Sequence, residues 1–248
     1  MNELLLKLRH AIGRWRRNRA RRPDARWGVD FIDEAKLRLG LSSGVIFDVG
    51  AHIGIAALHF SDAFPEAKIH AFEPGSRNFE RMSANLSGKP DIHRHKFAIG
   101  AEPGEAVLLI EPDHPSMARI GEGQGPSEVV KVETLDRFCS ASGINDIDIL
   151  KIDVEGFEMN VLKGAERLLA EGRIALVKLE CGVHPDIVYH VSLWTVSEHL
   201  FARGYRLFGI YDQWENTLDP SPVLRRVDAA FVSCRAIKAA RKAMASTS

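Results

Sequence analysis

The chain has 248 residues, 45% of them hydrophobic and 27% charged, and its 33 basic and 33 acidic side chains leave a net charge of zero. That size suits one sizeable α/β domain rather than two, and the charge balance singles out no polyanionic partner for the whole chain. Three scattered cysteines, Cys139, Cys181 and Cys234, argue against a disulfide framework or a zinc site and for a reducing, cytoplasmic setting.

Residues 1–26 carry nine Lys/Arg and two acids, so a basic arm precedes a mildly acidic body. Leu4, Leu5, Leu8, Ile12 and Trp15 fall near helical spacing there. The arm reads either as an amphipathic helix, lying on a partner or at the inner face of an anionic membrane, or as a solvated terminal extension. Lys7 and Arg9 interrupt its apolar stretch, which speaks against a signal peptide. No apolar run approaches the roughly 18–20 residues of a bilayer span. The expected organisation is an arm over 1–29, one domain over 30–235 and a fraying tail over 236–248.

Residues 30–40 read as a helix ending at Gly40. From there short apolar strands alternate with helical stretches. Val45–Val49 is a strand, Ile53–Phe64 a helix, Lys68–Glu73 a strand, Arg77–Leu86 a helix and Arg94–Ile99 a third strand. Glu105–Ile110 and Val129–Glu133 are strands around a Gly/Pro-rich stretch whose His114 and Ser116 suggest either a substrate lid or a plain connection. Ile147–Val154 leads into a helix over Gly156–Ala170, Ile174–Glu180 into one over Ser192–Arg203, and Tyr205–Ile210 and Ala229–Ser233 close the chain as a hairpin. This order predicts a doubly wound, Rossmann-like, seven-stranded sheet, mostly parallel, with an antiparallel C-terminal hairpin.

The first strand runs into Asp48-Val49-Gly50-Ala51-His52-Ile53-Gly54. A glycine at its exit permits a sharp turn and close approach of a ligand to the main chain, and Gly54 would let the next helix sit close to the strand. A G-x-G-x-x-G dinucleotide fingerprint begun at Gly50 would need glycines where His52 and Ile55 stand, so a pyrophosphate is disfavoured. S-adenosylmethionine, which has none, fits better. Glu73 ends the second strand, where a carboxylate can accept both hydroxyls of a ribose, or else cap the following helix. Ala98 and Ile99, at the end of the third strand, would border the adenine.

The fourth strand exits through Lys151-Ile152-Asp153-Val154-Glu155-Gly156. Asp153 is placed to meet the cofactor, the acceptor or a metal, and Glu155 to act there or to cap the next helix. Together DVGAHIG, AFEP, the VETLD of Val132–Asp136 and LKIDVEGFEMNVLKGA resemble the FkbM methyltransferase pattern in order and spacing over roughly residues 44–182. The resemblance implies S-adenosylmethionine as donor and methylation of a hydroxyl on a sugar, glycan or natural product. The family usually carries Asn where this chain has His52, which puts the contact made there in doubt. The resemblance also brings an acid and a histidine after the fifth strand to Glu180 and His184.

An alcohol acceptor must lose its proton to a base or to a metal. His184 is a candidate base, or else a surface-loop histidine ahead of Pro185, and Asp153, Glu180 and His184 offer an alternative site for magnesium. The sequence therefore nominates Asp153, Glu180 and His184 for catalysis, and Asp48, Gly50, His52, Ile53, Gly54, Glu73, Ala98, Ile99 and Asp153 for the cofactor. A non-catalytic cofactor-binding protein, a nicotinamide oxidoreductase and a nucleic-acid methyltransferase are competing readings. The intact acids, the broken fingerprint and the acidic body weigh against them in turn, and no nucleic-acid partner is expected.

Overall fold

A computed structural model describes residues 28, 30–42, 44–110, 118–121, 123–187, 190–215 and 223–246. The basic arm and the loop residues His114 and Ser116 lie outside them. No helix among the described residues is long and apolar enough to cross a membrane.

Seven strands form the main sheet: β1 (Val45–Val49), β2 (Lys68–Phe72), β3 (Ile92–His95), β8 (Ile147–Ile152), β9 (Ile174–Gly182), β10 (Tyr205–Glu215) and β11 (Leu224–Ser233). Their spatial order is β3-β2-β1-β8-β9-β11-β10. Neighbours from β3 to β9 pair in parallel, and β11 is antiparallel to both β9 and β10. The reversal of strand order at β1 opens a crevice beyond the carboxyl ends of β1 and β8, where doubly wound sheets bind ligands.

Helices cover both faces. Phe31 and Ala35 of α1 (Phe31–Leu39), Ala57 and Phe60 of α2 (Ile55–Ala63) and Met82 of α3 (Ser76–Asn85) pack on Ile46, Ile149 and Leu176. The other face receives α4 (Leu135–Ser142), α5 (Glu158–Lys163), α6 (Glu166–Ala170) and α7 (Leu193–Ala202), through Cys139, Val161, Leu168 and Leu200 against Phe47, Leu150 and Val177. Because successive strand residues point to opposite faces, one apolar run fills both cores.

Several elements depart from the sequence expectation. The run Arg94–Ile99 is not one strand. β3 ends at His95, and β4 (Ala98–Ile99) pairs instead with β7 (Ser127–Glu133) in a separate four-stranded sheet, β4-β7-β5-β6, with β5 (Gly104–Ile110) and β6 (Ala118–Ile120). Between them Phe97 turns into an aromatic cluster with Phe72 and Phe138. The helix expected over Gly156–Ala170 is two helices, because the Asp136 carboxylate accepts the N–H groups of Arg167 and Leu168 (2.8 and 3.0 Å) and starts α6 afresh. α4 is not among the elements expected from the sequence, although Thr134 caps it by accepting the Arg137 N–H and Gly143 ends it in the left-handed region. The expected frayed tail instead begins as α8 (Cys234–Ser246), an alanine-rich helix whose Ala236 and Ile237 pack on the α1 face.

β2 and β3 also bring His70 and His93 into register, and His70 Nδ1 lies 3.0 Å from His95 Nε2. Burial, followed by repulsion within this trio, pushes His70 down to about 3; burial and then His93 push His95 down to about 4.

Candidate active site

The crevice holds a cleft with an empty volume of about 750 Å³, counted with the solvent at its mouth. Gly50, His52, Glu73 and Asp153 form its polar wall. Phe97, Ala98, Ile99, Leu108, Ile120 and Phe157 form its apolar one, so the small sheet closes the side opposite β1.

Glu73 is the best anchored of these groups. Its Oε2 accepts the His52 N–H and its Oε1 the Gly75 N–H, both at 2.9 Å. The carboxylate thus ties the β1 exit loop to the start of α3, in keeping with the capping reading of the sequence. With about four acceptor sites on a carboxylate, Glu73 keeps capacity for a ligand hydroxyl beyond these two N–H groups and the Asn78 amide. Burial pushes its carboxyl up to about 7, against the two N–H groups and Asn78, with the Asp48 charge adding to the rise.

Gly50 makes the sharp turn expected of it, with φ +78°, and lines the cleft. A second constraint acts there: a Cβ would lie 1.8 Å from the Asp153 carbonyl oxygen, so the glycine also permits contact between two strand exits. Gly54 likewise meets Leu86 beyond α3, rather than a strand. His52 and Glu155 adopt positive φ (53° and 51°) without being glycine, and both line the cleft. Backbone strain of this kind gathers at functional loops.

The acidic side of the crevice follows from strand register. Ile46, Ile149 and Leu176 stand abreast on the α1 face. Two residues further on, the same face presents Asp48, Lys151 and Lys178, and two beyond that it reaches Asp153 and Glu180. Lys151 Nζ lies 3.0 Å from Asp48 Oδ1 and 3.4 Å from Asp153 Oδ2. Burial disfavours the Lys151 charge, but the two carboxylates outweigh it and raise the ammonium pKa. Burial likewise opposes the Asp153 charge, and Lys151 outweighs it to hold that carboxyl below the usual range.

Glu180 is enclosed by other partners. Its Oε1 is 2.6 Å from Arg226 Nη1 and its Oε2 3.6 Å from His190 Nε2. Burial and then the Asp153 charge push the Glu180 carboxyl up to about 7, against Arg226. Asp228, opposite Glu180 on β11, pairs with Lys178. The Arg226 guanidinium also sits 4.7 Å from the centre of the Trp214 ring. Glu155 does not cap α5, whose first turn starts at Phe157 without a side-chain cap. Fully buried Glu158 instead accepts the Gly156 and Val154 N–H groups (3.1 and 3.4 Å) and braces the loop from below.

Of the nominated residues, Gly50, His52, Glu73, Ala98, Ile99 and Asp153 line the cleft together. Asp48 is fully buried behind it and reaches it through Lys151. Ile53 is also buried, and its carbonyl accepts from Asn85. His184 is turned to its own loop, where Nδ1 accepts the Asp186 N–H at 3.2 Å. Lys151, His190 and Arg226 were missed. A lysine interrupting an otherwise apolar strand was a usable signal for Lys151 and Lys178, but nothing local marked His190. Among the described residues no three His, Cys, Asp or Glu side chains form a metal-holding group.

The family model described as "Methyltransferase FkbM domain" matches residues 48–207. The hexuronic acid methyltransferase AglP of Haloferax volcanii is 27% identical over 145 residues, 58% of this chain and 59% of that protein. The 31-O-demethyl-FK506 methyltransferase FkbM of Streptomyces tacrolimicus is 30% identical over 175 residues, 55% of this chain and 66% of that protein. The 2-O-methyltransferase NoeI of Sinorhizobium fredii is 28% identical over 149 residues, 52% and 60% of the two chains. The matches thus span about three fifths to two thirds of the length of these relatives.

Proposed function

This chain belongs to the FkbM methyltransferase family, and on that premise we propose that it methylates a hydroxyl oxygen of a sugar, glycan or natural-product acceptor with S-adenosylmethionine as donor. The observation that carries the reading is Glu73, a carboxylate fixed by two N–H groups at the polar wall of a cleft whose other wall is apolar. That arrangement suits an adenosine, with the ribose diol on Glu73 and the base against Phe97, Ala98, Ile99 and Phe157. His52, the Gly50 turn and Asp153 lie where the amino-acid end would be held. Gly54, Ile53 and Asp48 support that wall from behind. The relatives named for a hexuronic acid, a 2-O position and a 31-O position favour oxygen as the nucleophile.

S-adenosylmethionine, when bound, supplies a methyl group on a sulfonium sulfur. The protein has to hold the acceptor oxygen in line with that methyl, at about 3–3.5 Å, and take its proton. Asp153, kept ionised by Lys151, places negative charge beside the sulfonium end of the cleft. Glu180 lies one strand away, on the acceptor side, where a basic group is needed. A magnesium route through Asp153, Glu180 and His184 fits less well: Lys151 and Arg226 already neutralise the two carboxylates, and His184 is turned to its own loop.

Calorimetric titration with S-adenosylmethionine and S-adenosylhomocysteine, with NADH as control, tests the donor. Micromolar binding of the two sulfur compounds alone is expected. Mass-spectrometric screening against hexuronic acids, methyl glycosides and macrolide alcohols then tests the acceptor class. Binding of NADH alone, or of none of the three, overturns the reading.

A further inference from the structure

We propose that His190, oriented by Glu180, is the base that takes the proton from the acceptor hydroxyl. The inference rests on the methyltransferase reading above and assigns a step within it.

Three observations carry it. First, the His190 side chain is only 7% exposed, yet its Nε2 faces the Glu180 carboxylate at 3.6 Å. Second, its Nδ1 is buried and has no hydrogen-bond partner among the described residues. A buried imidazole nitrogen left unmatched is destabilising and calls for a partner that arrives later. Third, His190 is close enough to Asp153 and Glu155 to stabilise both of their anions, and both carboxylates line the cleft. The segment is also fixed to the sheet: the Gly182 N–H, at the end of β9, donates to the Val191 carbonyl at 2.9 Å.

The chemistry follows from the two ring nitrogens. With its proton on Nε2, toward Glu180, the imidazole presents a lone pair at Nδ1. The acceptor oxygen gives its proton to Nδ1 and uses the freed electron pair to bond the methyl carbon. The carbon–sulfur pair leaves with the sulfur, which becomes a neutral thioether. Glu180 stabilises the resulting imidazolium, and Arg226, 2.6 Å away on the other carboxylate oxygen, keeps Glu180 in place. Glu180 is therefore a positioning residue in this scheme. His184, four residues beyond Glu180, has its Nδ1 engaged by the Asp186 N–H, so the structure separates two histidines that sequence alone could not.

The test has two arms. In the first, His190→Ala and His184→Ala are compared on the acceptor that turns over in the screen. His190→Ala is expected to lower kcat by about 100-fold or more, the low end of acid–base contributions, to leave S-adenosylhomocysteine affinity within about twofold, and to recover partly with added imidazole. A His190→Ala variant close to wild type, or a larger loss in His184→Ala, overturns the assignment. The second arm needs no acceptor: nitrogen-detected NMR of the wild type with S-adenosylhomocysteine bound reads the His190 tautomer. A proton on Nε2, whose signal moves in Glu180→Gln, supports the pair, whereas a proton on Nδ1 overturns it. A wild type that binds S-adenosylhomocysteine but methylates nothing in the screen counts against the acceptor class, and the tautomer still decides the base.

Discussion

The two sides of the crevice are built from different materials. At the exits of β1 and β2 the cleft wall is main chain, one carboxylate and mostly apolar side chains, and Glu73 is held by two peptide N–H groups with the neutral Asn78 amide beside them. At the exits of β8, β9 and β11 the wall is a web of opposite charges in which Lys151, Lys178 and Arg226 each serve a carboxylate. A side that grips an invariant reagent can be built from fixed backbone. A side proposed to receive a proton has to hold charges in a dry setting, and there each charge needs a partner to offset its desolvation.

The largest effect should come from breaking the charged side. Asp48→Ala leaves buried Lys151 with Asp153 alone and should cost about 3–5 kcal/mol in urea unfolding. Lys151→Met combined with Asp48→Asn should recover much of that. Equal stability of Asp48→Ala and wild type would show that the web is dispensable.

Next comes the backbone-held side. Glu73→Ala removes acceptors for two N–H groups and for the ribose, and should weaken S-adenosylhomocysteine binding about 10- to 100-fold by calorimetry, from hydrogen bonds to a charged group worth about 1.5–3 kcal/mol. The same affinity should depend on pH. With a pKa near 7, Glu73 is the better acceptor when ionised, so binding should level off above pH 7 and weaken by up to about tenfold per unit below it. Glu73→Gln should flatten that slope.

Stability against pH sharpens the contrast further. Glu73 and Glu180, raised to about 7, stabilise the fold below their ordinary range near 4.5 and lose that contribution as pH rises through 7. His70 and His95, lowered to about 3 and 4, act in the opposite sense: their contribution is present above pH 6.5 and is lost as pH falls toward 4 and 3. For His70 alone the loss between pH 7 and pH 5 should be about 2 kcal/mol. His70→Phe should remove it in thermal melts; an unchanged acid slope would place the sensitivity elsewhere. The smallest effect is expected from His52→Asn, within about 0.5 kcal/mol, since asparagine also tolerates the positive φ found there.

The donor side was largely legible in the sequence because its signals are local. A strand, a glycine exit and an acid at the next strand end lie within Val45–Glu73, and the cleft gathers Gly50, His52 and Glu73 from those motifs. The seven strands and the final hairpin were legible for the same reason: alternating apolar runs report burial directly. What stayed hidden depends on pairing across distance. Ala98 and Ile99 look like the end of one strand until β7 captures them. Arg226 has no chemical meaning until register places it opposite Gly182, two residues past Glu180. His190 stands in a loop, and only its return to the end of β9 brings it to an acid.

The position of β11 sets a condition on when this protein can work. β11 follows β10 in the chain but lies between β10 and β9 in the sheet, and among the described strands β10 has no other neighbour there. A nascent chain that stops short of Leu224 therefore leaves the β9 edge open, β10 unattached and Glu180 without its guanidinium. On the proposed reading the acceptor side of the crevice is completed last, by the strand that locks the sheet, and a partly synthesised chain would lack it.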